Sequence, residues 1–141
     1  MKQAIEKENA GAVAAEIGSR LRAFNEDQAG PLNHERLVLS VRDDDGALLA
    51  GLSADFHWHC MYLDVLWVEP QHRKKGLGSS LLRQAERIAM ERPCEVIYLS
   101  TFQFQAPEFY AKHGYSLVGK LPGVPRNSSR QWFFKVCTSA V

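Results

Sequence analysis

Cysteine is scarce in this 141-residue chain: Cys60, Cys94 and Cys137 are odd in number, widely spaced and in no C-x-x-C pattern. That excludes a disulfide framework and a cysteine-based zinc site, and leaves reduced thiols. Net charge is nearly absent as well, because 17 Lys plus Arg stand against 16 Asp plus Glu. A balance of +1 creates no long-range field to gather nucleic acid or an anionic membrane surface, so neither is expected as a partner. No apolar run approaches the ~18 residues of a membrane span. The start, Met1-Lys2-Gln3-Ala4-Ile5-Glu6-Lys7-Glu8, is charged where a signal peptide would be apolar, so a cytoplasmic protein is expected. Internal repeats, low-complexity tracts and an interdomain linker are also missing. What remains is a chain with 45% hydrophobic residues, enough for one domain over residues 1–141 with a real core.

Val13, Ile17, Leu21 and Phe24 recur at spacings of four, four and three, which predicts an amphipathic helix from Ala10 to Phe24 with one buried stripe. Residues 25–31, rich in Asn, Asp, Gly and Pro, should end it. Leu37 to Arg42 alternates as a strand, and Asp43-Asp44-Asp45-Gly46 is a hairpin signal. Strands are expected at 47–56 and 60–68, giving three antiparallel strands in succession. Pro70 stops the third, and Leu77, Leu81, Leu82, Ala85, Ile88 and Ala89 then mark a helix ending near Pro93. A strand at 95–101 completes a strand–helix–strand unit, which requires a parallel pair and a right-handed crossover. A short helix follows, with Pro107 in its first turn and Gly114 after its end. The remaining expectations are a strand at 115–119, a loop at 120–129 and a last strand at 130–136. The fold class is therefore α/β of the mixed, α+β kind.

The chemistry concentrates between Val68 and Leu82. Gly76 and Gly78 at the mouth of a helix, just after a strand, leave backbone N–H groups uncovered where the helix dipole adds partial positive charge. This is an anion cradle, although a glycine-eased turn beside a solvated basic cluster explains the same glycines. The spacing matches neither a P-loop nor a dinucleotide fingerprint.

Arg73-x-x-Gly76-x-Gly78, taken with Phe109-Tyr110-x-x-x-Gly114-Tyr115, resembles the paired motifs of the GCN5-related N-acetyltransferase (GNAT) superfamily. The likeness runs from about Leu37 to Val136. Leu66-Trp67-Val68 and the stretch from Thr101 to Tyr110 are similar to small bacterial GNAT proteins of unassigned substrate. The resemblance implies a mostly antiparallel sheet whose central parallel pair splays to hold CoA, flanked by three to four helices. It implies acetyl-CoA as co-substrate, its pyrophosphate on the amides of Arg73, Lys74, Lys75, Gly76, Leu77, Gly78 and Ser79. The pantetheine arm would lie along Leu66, Trp67 and Val68, as a peptide adds to an exposed strand edge. Many relatives carry Asn where this chain has Gln103, so Gln103 is the expected but altered CoA contact.

An amine attacks a thioester only when neutral, and neutralising a lysine-like amine at pH 7 costs roughly 4–5 kcal/mol, so a base or a desolvating pocket must help. Asp64 stands where some relatives place a proton-relaying histidine, and Glu69 is the second candidate; a strand carboxylate with no catalytic part is the alternative for Asp64. His57 and His59 could assist, or be a surface pair. The departing thiolate needs a proton, and the resemblance assigns the general acid to Tyr110, which could otherwise be a core tyrosine beside Phe109.

The implied function is N-acetyl transfer to a primary amine, with a small-molecule acceptor favoured over a protein N-terminus or lysine. A non-catalytic acyl-CoA sensor is the reading from a different class. The acceptor site is expected among the first helix, its following loop and the 120–129 loop. A homodimer would form through exposed strand or helix surface rather than a disulfide.

Overall fold

The computed structural model describes residues 1–137; residues 138–141, part of the single domain expected, lie outside the described residues. Contacts cluster into two compact units, Met1–Leu32 and Asn33–Val141. The first contains α1 (Ala10–Ala29), none of whose residues is buried, contrary to the expected buried stripe. It runs a turn further than its composition suggested. Glu26 is held by Arg22 four residues back, and no residue before Pro31 lacks an N–H. Gly30 then leaves the helix with φ +85°, immediately ahead of Pro31, which disfavours a helical residue before it.

The second unit is a six-stranded sheet in the order β1-β2-β3-β4-β6-β5. β1 (Glu35–Arg42), β2 (Leu48–His57) and β3 (Cys60–Val68) form an antiparallel meander. Asp43 shapes its first turn: Oδ1 accepts from the N–H groups of Asp45 and Ala47 at 3.0 and 2.8 Å. A 3₁₀ turn (Pro70–His72) leads to α2 (Leu77–Glu91), and β4 (Val96–Phe102) pairs parallel with β3. After α3 (Pro107–Lys112), β5 (Ser116–Pro122) and β6 (Ser129–Val136) close the sheet by antiparallel pairing. β5 is longer than expected, which shortens the 120–129 loop to residues 123–128. It is an edge strand, where a proline such as Pro122 is tolerated in the last paired position.

Alternation puts Ala50, Leu52, Ala54, Phe56, Met61, Leu63, Ile97 and Leu99 on the buried face with Leu81, Leu82, Ala85 and Ala89 of α2. The alanines let the helix backbone approach the strands. A polar knot fastens the far end: Lys135 Nζ donates to Glu86 at 2.9 Å and to the His113 carbonyl at 2.9 Å, and Tyr115 donates to Glu86 at 3.2 Å. Burial, reinforced by Glu86, pushes the Tyr115 hydroxyl far above the usual phenol range.

The decisive feature lies in β3. Ala54 pairs with Leu63, yet Ser53 pairs with Val65, so Asp64 is an extra residue, a β-bulge that bends the strand. Parallel pairing with β4 ends at the same place, after only Cys60–Leu63 against Val96–Leu99. Beyond that row the two strands part and form a fork.

Replacing Lys135 by Met removes the cation from the Glu86 carboxylate, whose side chain is only 15% exposed, and leaves it with the Tyr115 hydroxyl. A loss of about 1–3 kcal/mol is expected in urea unfolding, with the Lys135→Met, Glu86→Gln double variant losing less than the sum. The cysteines are free, and desolvation pushes the Cys94 thiol up to about 11. Native protein at pH 7.5 should therefore leave Cys94 unalkylated by iodoacetamide until denatured, and its sedimentation should not change with reductant.

Candidate active site

A cleft of about 850 Å³ opens at the fork. One wall is β3 from Leu63 to Val68; the other comprises Ser100 and Thr101 of β4, with Phe104, Gln105, Ala106, Phe109 and Tyr110 from the following turn and α3. The 3₁₀ turn and the start of α2 close one end.

That end has the backbone geometry that could hold an anion. Lys74 and Gly76 both take left-handed backbone, φ +62° and +83°, which turns the chain sharply into the helix. Gly76 is the N-cap and offers no side chain, and the first helical bond runs from Ser80 N–H to the Gly76 carbonyl. The N–H groups of Leu77, Gly78 and Ser79 therefore meet the cleft without a side-chain cap. Arg73 is anchored by its Nε donating to the Val68 carbonyl at 3.0 Å, and Arg73 and Lys74 both line the cleft. Uncapped amides, a helix dipole and two cations form a cradle that fits the diphosphate of a nucleotide-type cofactor.

The two glycines serve different needs. Gly76 is required for its positive φ, since a side chain there would meet nothing within 4 Å. At Gly78 a Cβ would sit 3.6 Å from both the Phe109 ring and Val68, so that position is about room beside α3. His113 strengthens the same junction, its ring bonding Ser79 Oγ through Nε2 at 3.0 Å and the Phe109 carbonyl through Nδ1 at 2.8 Å.

Along the middle of the cleft, β3 beyond Leu63 has β2 on one side and, among the described residues, no strand on the other. Its free edge offers backbone hydrogen bonds to an extended, amide-bearing arm. Near the apex stands Tyr110, 7% exposed, packed edge-on against Phe109 and Tyr115. Burial pushes its hydroxyl up to about 12, so it is protonated at neutral pH and able to donate.

Asp64 lines the cleft from the bulge, where Arg36 Nη2 holds it at 3.1 Å. Arg36 also grips Asp55, at 3.1 Å to Oδ2, and His34 meets Asp55 at 2.8 Å, so Asp64 ends a connected polar chain.

Of the candidates named from sequence, Asp64, Leu66, Trp67, Val68, Arg73, Lys74, Gly76, Leu77, Gly78, Ser79 and Tyr110 line this one cleft. Glu69, Lys75 and Gln103 do not. The Glu69 backbone is tied to Leu49 and His72 at the strand end, and Lys75 is exposed. Gln103 is turned toward β6: its N–H donates to the Ser129 carbonyl at 2.9 Å and its Oε1 accepts from Ser129 Oγ at 3.4 Å. Gln105, which sequence reasoning missed, lines the cleft instead, its Oε1 accepting from Phe102 N–H at 2.8 Å and Thr101 Oγ1 at 3.1 Å. His57 bonds Tyr98 at 2.8 Å and, like His59, lies outside the lining. Ser100 was also missed, because only strand register brings it to the fork.

Among the described residues no cluster of His, Cys, Asp and Glu could hold a metal ion, and no helix is long and apolar enough to cross a membrane.

Similarity to known proteins agrees with this geometry. The chain is 40% identical over 81 residues, 57% of its length, to blasticidin-S acetyltransferase of Streptomyces morookaense, and the match spans 60% of that relative. It is 28% identical over 119 residues to acetyltransferase Atu2258 of Agrobacterium fabrum, covering 84% of this chain and 87% of the relative. A crystal structure of an acetyltransferase from Bacillus cereus superposes with a TM-score of 0.82 at 29% identity, over 96% of each chain. With its forked mixed sheet, its uncapped helix mouth and a match of the acetyltransferase (GNAT) family model to residues 6–115, the chain belongs to the GNAT family.

Proposed function

We propose that the protein transfers an acetyl group from acetyl-CoA to the primary amine of a small molecule. The observation that carries this is one continuous cleft with an anion cradle at one end and a neutral, buried phenol at the other. Family membership supports the reaction class. The likeness to a relative named for acetylating blasticidin S supports a small-molecule acceptor.

Acetyl-CoA supplies the activated thioester; the residues of this chain bind, orient and move protons. Leu77, Gly78 and Ser79 amides, with Arg73 and Lys74, take the phosphates. Leu66, Trp67 and Val68 offer their strand edge to the pantetheine amides, which sets the thioester at the fork. An incoming ammonium must lose a proton, and Asp64 is the anionic group at the fork that can accept it, directly or through water. Tyr110 donates a hydrogen bond to the sulfur as the carbon–sulfur bond breaks.

Tyr110→Phe should lower kcat at least about tenfold with acetyl-CoA affinity unchanged, since general acid catalysis contributes typically 10²–10⁴-fold. With the hydroxyl pushed up to about 12, the pH–rate profile should show no basic limb from Tyr110 near pH 10. Full kcat in Tyr110→Phe would return the residue to a packing role. No CoA release across an amine and peptide panel, from a protein that binds acetyl-CoA tightly, would favour a sensor.

Gly76→Val should weaken acetyl-CoA binding at least tenfold by calorimetry, because a branched residue resists φ +83° and would distort the turn that presents the amides. Gly78→Ala should fold and bind, its Cβ making ordinary contacts at 3.6 Å, whereas Gly78→Val should push on Phe109 and weaken binding. Unchanged affinity in folded Gly76→Val would move the cradle elsewhere.

A further inference from the structure

Ser100 is the first residue of β4 beyond the last row paired with β3, directly across the fork from Asp64. Leu63 and Leu99 of that last row are buried against α2, so alternation sends Asp64 and Ser100 toward the opposite sheet face. Arg130 of β6 is not itself in the cleft lining but reaches the lining residue Ser100 on that face: its Nε and Nη2 donate to the Ser100 hydroxyl at 3.0 and 2.8 Å. The guanidinium carbon lies 5.1 Å from the Trp132 ring centroid and 5.7 Å from that of Phe102, so two aromatic faces hold it in place.

This cation is oriented but not neutralised. Like Arg42 and Arg73, which bond backbone carbonyls, Arg130 has no carboxylate within ion-pair distance among the described residues, but it differs from them in being held between two aromatic rings on the fork side of the sheet. Its partner is one neutral hydroxyl, which engages two of its five donors. A half-buried guanidinium without a counter-anion is unfavourable for the fold alone. The phosphate cradle does not account for it, because that lies on the 3₁₀ turn and the α2 start. The guanidinium edge suits a planar carboxylate, which it can bind with two parallel hydrogen bonds.

We infer that the acceptor carries a carboxylate as well as its reactive amine, with Arg130, set by Ser100, Trp132 and Phe102, binding that carboxylate while the amine faces Asp64 across the fork. This rests on the acetyltransferase reading and narrows its substrate class to amino acids in the broad sense. Opposite charges on the two sides of the fork would also orient the zwitterion, so that the amine end leads toward the thioester.

The test uses the full chain, acetyl-CoA and ω-amino carboxylates of one to six methylenes, each paired with its methyl ester, and CoA release as the readout. At least one acid should be used with kcat/KM tenfold or more above its ester. Arg130→Leu should abolish that preference by raising KM, and Arg130→Lys, which cannot bind bidentately, should restore only part of it. Acetyl-CoA affinity, read separately by calorimetry, should be the same in all three proteins. Esters acetylated as well as acids, a preference surviving Arg130→Leu, or preference for an aminoalkyl phosphate over every acid would each overturn the carboxylate assignment while leaving the acetyltransferase reading intact. If no amine in any series released CoA, the reading itself would fail. Binding of the acids to CoA-saturated protein would then decide the inference: it stands if calorimetry detects acid binding that Arg130→Leu removes, and falls if none is detected.

Discussion

Backbone hydrogen bonding across the sheet constrains everything else in the second unit. Each strand residue carries a donor and an acceptor that must be paired or solvated, and β3 and β4 stop pairing each other after four rows. The cause is local. The extra residue at Asp64 bends β3 just past the last row. It also shifts the alternation by one, so that Leu66 and Val68 rejoin the face carrying Met61 and Leu63 and pack on the core. Strict alternation would have turned them away and put Val65 and Trp67 inside. One inserted residue thus opens a cleft without costing the core its apolar residues, and it presents a carboxylate at the opening.

The two ends of the cleft are mechanically joined. Phe109 packs beside Gly78, and His113 bonds both Ser79 at the α2 start and the carbonyl of Phe109 within α3. Tyr110 lies between Phe109 and the Tyr115 ring, and Tyr115 is itself tied to Glu86 of α2. Amides that would hold phosphates and a hydroxyl that would meet the sulfur therefore belong to one packed block. A cofactor seated there by its phosphates, as proposed, would be located at its reactive end without any lid having to close.

What the sequence discloses follows from how local each feature is. The α2 stripe and the strand alternation depend on neighbours a few residues away, and apart from the end of β5 their bounds are readable to within a residue or two. Residues 73–79 are contiguous, so the turn into an uncapped helix start could be read before the structure. The bulge could not: Asp64 has no glycine or proline beside it, and only the partner strand reveals the shifted register. Gln103 and Gln105 illustrate another limit, since which amide reaches the cleft depends on Ser129, a residue 26 positions from Gln103. The helix end was misjudged because Asn25, Asp27 and Gln28 can all remain helical when only Gly30 and Pro31 impose a stop. Ser100 and Arg130 become neighbours only through the β4–β6 pairing.

Burial of Tyr110 changes the chemistry that its position suggests. An ordinary phenol near 10 lies close to a thiol near 8.5, whereas a hydroxyl pushed up to about 12 is further from it by roughly 3.5 units, or about 5 kcal/mol of uphill proton transfer. Complete transfer to a free thiolate is therefore unfavourable. A hydrogen bond to sulfur, strengthening as negative charge develops there, is favourable in a site that excludes water. In the proposed reaction the amine nitrogen of the tetrahedral adduct would still be cationic and a far stronger acid than the phenol, so the proton ending on sulfur could come ultimately from the substrate, with Tyr110 relaying it by gaining one proton as it gives up its own. In the proposed sequence a high pKa would be an advantage, because the donor would not be ionised beforehand and would not repel a developing thiolate.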